Sequence, residues 1–342
     1  MHNQTNEESL TKFKFTGADK TWWIWIVGGA LYGIFLRVLF GAMPDDISSV
    51  MSIAFLIGTP FVLGALTVYG ARHRNQTWVS FIFGPWLAVT FMLLGCAISF
   101  LEGSICLAII SPIFFVCASL GGVTMGIALK MAGKSQTHLR AVAILPFLII
   151  AGENSTPLHE KQMVLQQSVV IDASPSTVWS QILTARTIKA EEVPFSVTHF
   201  IGVPKPIEGI NVQTEEGEIR YSTWERGVTF RALVTNKRPY ESITWHYMFD
   251  DKSFPPGSMD EHVAIGGKYF DLQDTTFNLY PLPGNKTKLE IVAHFRVSSS
   301  INFYAVPMAT FIGRDFINSI LGLYKGRSER LKTAAVRRST GK

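Results

Sequence analysis

The sequence predicts an α-helical membrane bundle followed by an α+β domain in which an antiparallel sheet packs against one long C-terminal helix. Three observations carry this reading. Of 342 residues, 47% are hydrophobic and only 17% charged, with a mean hydropathy of +0.23, which is too apolar for an ordinary soluble chain of this length. Charge is divided unevenly, with 9 Lys+Arg and 6 Asp+Glu in residues 1–152 against 22 and 20 in residues 153–342, so a boundary falls near 152. The hydrophobic pattern changes at about the same place, from long unbroken runs to alternation of period two. The expected organisation is a cytoplasmic tail (1–20), a transmembrane bundle (21–152), a sheet-and-helix domain (160–333) and a basic tail (334–342).

Residues 1–20 are polar and hold Glu7, Glu8 and Asp19, unlike the basic start of a cleaved secretory signal, so the first apolar run is expected to remain as an anchor. Apolar runs at about Trp22–Met43, Ile47–Tyr69, Trp78–Leu101 and Ile105–Met131 are each long enough for the roughly 20 residues that cross a hydrocarbon core of about 30 Å. Four spans are therefore expected, and five if the run Ala141–Gly152 also crosses. That run has 12 residues and carries Pro146, a length that fits a short span, a re-entrant piece or an interfacial segment.

Loop charges set the orientation, because Lys and Arg are retained on the cytoplasmic side. The N-terminal tail has Lys12, Lys14 and Lys20, the second loop Arg72 and Arg74, and the fourth Lys130, Lys134 and Arg140. The first loop, around Asp45 and Asp46, and the third, around Glu102, have no basic residue. The N-terminus is thus expected inside. The basic cluster before Ala141 and the polar Glu153, Asn154, Ser155 and Thr156 after Gly152 favour crossing, which would put the second half in the periplasm of a Gram-negative source. If the run only dips, that half is cytoplasmic.

Ionisable residues inside membranes usually have a task, but here only Arg37 qualifies, and it lies close enough to its span end to snorkel. No series of Asp, Glu or His runs through the spans to relay protons. Gly29 and Gly33, and again Gly122 and Gly126, have the spacing that lets helices approach closely, within the bundle or in a homo-oligomer. Trp22, Trp23, Trp25 and Trp78 fit an interfacial aromatic belt. Cys96, Cys106 and Cys117, the only cysteines, sit in apolar stretches and read as small buried hydrophobes rather than a disulfide scaffold or metal framework. No run of five basic residues marks a nucleic-acid footprint.

From about Val164, half-buried strands are expected. Ile243, Trp245, Tyr247 and Phe249 alternate with Thr244, His246 and Met248, while Val228, Phe230, Ala232 and Val234 form a second apolar face. Leu289, Ile291, Ala293 and Phe295 form a third, set against Glu290, His294 and Arg296. Turn chemistry separates the strands at Glu216-Gly217, Pro255-Pro256-Gly257 and Pro283-Gly284-Asn285. The last segment turns helical, with Pro307 near its first turn and Met308, Phe311, Ile312, Phe316, Ile320, Leu323 and Tyr324 at steps that suit one face.

The opening Val169-Val170-Ile171-Asp172-Ala173-Ser174-Pro175-Ser176-Thr177-Val178-Trp179 resembles the first strand and helix of the START-like, Bet v 1-like superfamily, which includes polyketide cyclase-like proteins. The stretch His262 to Asp271, with Asn302-Phe303-Tyr304-Ala305 and the helix to Leu331, is similar to a bacterial subgroup in which this domain follows a multi-span membrane region. The resemblance covers about 165–331. It implies a helix-grip fold, a curved sheet holding the C-terminal helix over a hydrophobic cavity, in a multi-pass protein of the bacterial inner membrane. The fold hosts carriers, cyclases, hydrolases and sensors, so it does not choose among them.

The residues expected to line such a cavity are Phe230, Trp245, Tyr247, Phe249, Phe277 and Phe295 on the sheet, opposed by Met308, Phe311 and Ile312 on the helix. The same stripe also reads as a filled core. Candidate acid-base groups are His199, His246, His262, His294, Arg220, Arg231, Arg296, Glu225 and Glu290. Alternation puts His246, Arg231, Glu290, His294 and Arg296 on the other sheet face, facing solvent or forming salt bridges. No metal spacing, phosphate loop or nucleophile elbow is present, so no metal, cofactor or catalytic residue is assigned. The expected function is membrane-tethered binding or presentation of a lipid-like small molecule, with the bilayer and that molecule as partners. The alternatives are a cyclase-like or hydrolase-like enzyme using Arg220 or Trp224 at the pocket mouth, and a structural or signalling partner with a solid core.

Overall fold

The computed structural model describes residues 20–42, 50–73, 76–132, 137–153, 158–260 and 264–340. Lys12, Lys14, Asp45, Asp46, Arg74, Lys134 and His262 lie outside the described residues. The chain forms two compact units, one of Met1–Ile98 with Ile113–Asn154, the other of Ser99–Pro112 with Ser155–Lys342.

The first unit is built from α1 (Lys20–Ala42), α2 (Thr59–Gly70), α3 (Trp78–Ile98), the body of α4 (Ser104–Ala132) and α5 (Thr137–Glu153). Three helical stretches, Trp22–Ala42, Trp78–Ile98 and Ser104–Met131, are long and apolar enough to cross a membrane. The expected second span is shorter, an apolar helix over Ala54–Gly70. It opens with a π-helical stretch, Ala54–Gly58, that runs into α2. Pro60 has no N–H to give to an i−4 carbonyl, and the wider π turn before it accommodates the ring.

Nearly all of α2 is covered: Val62, Leu63, Ala65, Val68 and Tyr69 are buried. α1 and α3 instead present Ile24, Val27, Leu31 and Phe35, and Phe83, Leu87, Phe91 and Leu94, outward. Helices that are apolar on both their packed and exposed sides match an apolar surrounding rather than water. Glycines bring backbones together. A Cβ added at Gly64 would stand 1.9 Å from the Ala118 carbonyl oxygen, and one at Gly121 1.9 Å from that of Phe61. Of the expected small residues, Gly33, Gly122 and Gly126 are likewise pressed against Met92 and Phe81, whereas Gly29 meets Ala88 at an ordinary 3.9 Å. The Arg37 guanidinium lies over Gly41, one turn nearer the helix end, as a snorkelling side chain would. At the end of α5, the Glu153 carboxylate accepts the N–H groups of Ile53 (2.7 Å) and Ala54 (3.1 Å), which open the helix leading into α2.

The second unit is one sheet of eight strands in the order β1-β8-β7-β6-β5-β4-β3-β2, every neighbouring pair antiparallel. The strands are β1 (His159–Ile171), β2 (Thr184–Ala185), β3 (Pro206–Thr214), β4 (Gly217–Trp224), β5 (Thr229–Arg238), β6 (Ser242–Met248), β7 (Phe270–Leu282) and β8 (Lys286–Ser299). β1 pairs with β8 along its whole length, from His159 opposite Ser299 to Ile171 opposite Thr287. Register shifts in β3, β5 and β7 raise the twist and curl the sheet, which stays open between its edges β1 and β2. At the β7–β8 turn, Gly284 (φ +78°) and Asn285 (φ +56°) take the left-handed conformations that the Pro-Gly-Asn signal announces.

Ser174 caps the short helix α6 (Pro175–Leu183), its hydroxyl accepting the Thr177 N–H at 3.2 Å. Helix α7 (Val197–Phe200) is a single turn, and α8 (Asn302–Thr340) is the long C-terminal helix. α8 begins five residues before Pro307, which sits inside it, and runs on through the expected basic tail to Thr340. It lies along β1 and β8, and at Gly313 an added Cβ would be 2.6 Å from Leu165 Cδ1. The sheet and this helix enclose a core that includes Leu165, Ile171, Trp179, Leu289, Ile291 and Leu321. A curled antiparallel sheet around a C-terminal helix is the helix-grip arrangement. Within the same unit, Asp260 Oδ2 accepts the Cys106 N–H at 2.8 Å and the Tyr304 hydroxyl donates to the Ile109 carbonyl.

Candidate functional site

The concave face of the sheet divides into a covered part and an uncovered part. Trp245, Phe277 and Phe295 are buried, with 1%, 5% and 3% of their surface exposed, and belong to the packed core. Trp245 and Phe277 meet edge to face at 4.8 Å, and Phe277 meets Tyr324 of α8 in the same way at 5.7 Å. Toward β4, β5 and the end of β6 the rings still touch, but Phe230, Tyr247 and Phe249 keep part of their surface accessible. Tyr247 stacks on Phe249 at 5.7 Å, and Phe230 meets both at 5.8 and 5.5 Å.

Two further rings extend this belt. Trp224, at the end of β4, stacks on Phe316 of α8 at 5.7 Å with planes 19° apart and lies 6.0 Å from Phe230. The helical spacing from Met308 and Ile312 already points to Phe316, whereas Trp224 sits at a strand end where alternation gives no face. On α8, Met308 and Ile312 are half-buried. Phe311 departs from the expected lining: it is 54% exposed and shares an outward stripe with Phe303 (71%) and Pro307. Steps of three and four both occur in an apolar helical stripe, and the phase of α8 on β1 turns the step through Phe311 outward.

The polar candidates divide as well. His246, on the outer face, pairs with Asp274 at 2.9 Å, His294 and Arg231 are exposed, and Arg296 reaches Glu160 at 3.4 Å. Glu290 is on that face but not in solvent, because Gln166, Asn278 and Tyr280 donate to its carboxylate and cover it. Burial pushes this carboxyl up, and the three hydrogen bonds with nearby Lys288 outweigh that and hold it below its usual range. Glu225 accepts the Lys205 N–H at 3.0 Å beside the β4–β5 connection.

Arg220 lies on the concave face, in the interior and not at a mouth. Its Nη1 donates to the Ile182 carbonyl (2.7 Å) and Asn211 Oδ1 (3.0 Å), its Nη2 to the Tyr324 hydroxyl (3.2 Å), and its guanidinium carbon stands 4.7 Å above the Trp245 ring. Close by, burial raises the Tyr247 phenol above its usual value, against a hydrogen bond with Thr275 and the nearby Arg220 charge, so it remains a neutral hydroxyl.

α7 brings the remaining candidate, His199. Its Nδ1 lies 3.0 Å from the Val203 carbonyl, which can only accept, so Nδ1 carries the hydrogen and Nε2 is a bare acceptor. Nε2 is buried with no partner among the described residues, and the ring stands 5.9 Å from Phe316. Burial pushes the imidazole below its usual range. α7 is held to α8 by Asp315, whose carboxylate accepts both the Thr198 N–H and its hydroxyl at 2.7 Å. No group of His, Cys, Asp and Glu that could hold a metal ion occurs among the described residues.

No family model and no curated protein matches the chain. Among solved structures, the Zhui aromatase/cyclase from Streptomyces sp. R1128 is 11% identical with TM-score 0.32, covering 50% of this chain and 95% of that one. A START superfamily protein from Mycobacterium smegmatis is 15% identical with TM-score 0.29, covering 49% and 98%. A point mutant of Thalictrum flavum norcoclaurine synthase is 11% identical with TM-score 0.31, covering 51% and 98%. These START-like and cyclase-like neighbours span half the chain, and at such scores the strand order and the long helix, rather than the likeness, carry the fold.

The Asp315 anchor gives a pH dependence. Burial raises this carboxyl, but the Thr198 and Val197 donors lower it further, so its folded value lies below the ordinary one of about 3.9. Stability from a depressed carboxylate is complete above the ordinary value and is lost as pH falls through the folded one. Hydrogen exchange of Val197–Ile201, corrected for intrinsic rates, should rise below about pH 4, and Asp315→Asn should expose those amides already at neutral pH. Equal protection in both proteins contradicts the anchor.

Proposed function

We propose that the chain is a membrane-tethered module whose helix-grip domain binds or presents a hydrophobic, lipid-like small molecule. The observation that carries this reading is the incompletely covered aromatic belt of Phe230, Tyr247 and Phe249 beneath α8. An apolar chain laid against it gains about 0.8 kcal/mol per CH₂ removed from water, so binding needs no catalytic group. Phe277, Trp245 and Phe295 belong to the packed core beside this belt, with Met308 and Ile312 as the helical side of the site and Phe311 outside it.

Tethering serves such a ligand because it partitions into the bilayer, where a linked domain meets it at high effective concentration. His159 opens β1 six residues after Glu153 ends α5, a reach of at most about 20 Å. The reading includes five spans, an inner-membrane location and a C-terminal domain on the periplasmic side. The Glu153 contacts support the fifth crossing. They put the end of α5 level with the start of the helix that follows the unbasic first loop, whereas α4, which precedes α5, ends near Lys130. The 17 residues of α5 extend about 26 Å, close to a hydrocarbon thickness.

Native mass spectrometry of the full chain should reveal a retained apolar adduct that Phe230→Trp together with Tyr247→Trp reduces; a bare mass at every lipid concentration contradicts binding. Alkaline phosphatase fused after Lys342 should be active and a cytoplasm-dependent fluorescent protein dark. The opposite pair of readouts contradicts five spans.

A further inference from the structure

Arg220 is a charged side chain with only 9% of its surface exposed, and its hydrogen-bond partners are all neutral: a carbonyl, an amide oxygen and a phenol. Among the described residues no carboxylate lies within salt-bridge distance of it. The nearest acid in its network is Glu218, reached through Asn211 (3.0 Å), and Glu218 is itself paired with Lys237 at 2.7 Å. A guanidinium has five N–H donors and cannot shed its charge. Three are used, which leaves one Nη2 hydrogen and the Nε hydrogen without an acceptor among the described residues.

A second observation points the same way. Trp245, whose ring lies under the guanidinium, is 1% exposed, and its Nε1, a donor only, is buried without a partner among the described residues. Buried donors without acceptors are costly and are retained where something supplies the acceptor. This surplus of donors and of positive charge at one place points to an anion. Tyr247 joins that place to the belt: it and Arg220 are the two cross-strand partners of Ala232, and its ring touches Phe230 and Phe249.

We propose that Arg220 receives the anionic head of an amphiphile, a carboxylate or phosphate ester on an apolar chain, whose tail lies along Phe230, Tyr247 and Phe249. This deepens the function proposed above and rests on it. The head forms charge-assisted hydrogen bonds to the free guanidinium hydrogens, and the Trp245 indole is placed to donate as a further contact. The same interior holds a neutral head less tightly, because a hydroxyl brings no charge and a single oxygen to these donors.

The test measures binding of hexadecanoate, hexadecyl phosphate, hexadecanol and inorganic phosphate to the full chain in nanodiscs, by native mass spectrometry over a concentration series. The unaltered protein should bind one or both anionic amphiphiles about tenfold or more tightly than hexadecanol, as a charge-assisted hydrogen bond provides. The two anions identify the head. Arg220→Gln should abolish the preference while leaving hexadecanol binding in place, and Arg220→Lys should keep part of it. Equal affinity for hexadecanoate, hexadecyl phosphate and hexadecanol in the unaltered protein overturns the anion site but leaves an apolar-ligand domain standing, and this comparison needs no variant to fold. Binding of none of the three overturns both. Inorganic phosphate binding as tightly as hexadecyl phosphate makes this a free-anion site and overturns the amphiphile, as does a preference that survives Arg220→Gln.

Discussion

The close passage of α8 across β1, where Gly313 lets the helix approach Leu165, is the constraint on which the C-terminal unit depends. A helix has a fixed width and a curled sheet a fixed radius, so contact at one edge decides what happens at the other. Beside β1 and β8 the rings of Phe277 and Phe295 belong to the packed core. Over β4, β5 and the end of β6 the same helix reaches the sheet through single long side chains, Phe316 to Trp224 and Tyr324 to Arg220, and the rings between keep accessible surface. Filled core and partly uncovered face are therefore two ends of one surface.

That division was only half legible in the sequence. Period-two alternation located the faces of β5, β6 and β8 because each strand has one side against helices and the other against water, and the Pro-Gly-Asn turn announced the β7–β8 hairpin. Alternation cannot say whether a neighbour covers a face. Glu290, correctly placed on the outer side, is buried there by Gln166, Asn278 and Tyr280, which arrive from β1 and β7. The inward turn of Arg220 was hidden for the same reason, since its partners Ile182 and Tyr324 come from elements distant in the chain and Asn211 from the neighbouring strand. Helical spacing was too permissive for Phe311, because steps of three and four overlap until the helix phase is known.

The helical unit was legible in composition and less so in length. α1, α3 and α4 fall where unbroken apolar runs put them, while the run through α2 contains Gly58 and Pro60 and yields a shorter helix with a π turn. Sequence spacing found Gly33, Gly122 and Gly126 but passed over Gly64 and Gly121, whose partners are backbone carbonyls on another helix rather than residues at a fixed interval. The helix-opening role of Glu153 was likewise invisible, since its targets, Ile53 and Ala54, are about a hundred residues away.

The most direct measurement places a photoreactive benzoylphenylalanine at Phe230 in the full chain in native membranes, with a second probe at Leu31, on the outward apolar side of α1, as a control. The account predicts that the Phe230 probe attaches to a lipid-like molecule, with a head recognisable by mass. Attachment only to peptides of α8 and the sheet, while the Leu31 probe labels bulk lipid, would mean that the helix and the rings close on each other and that nothing is carried between them.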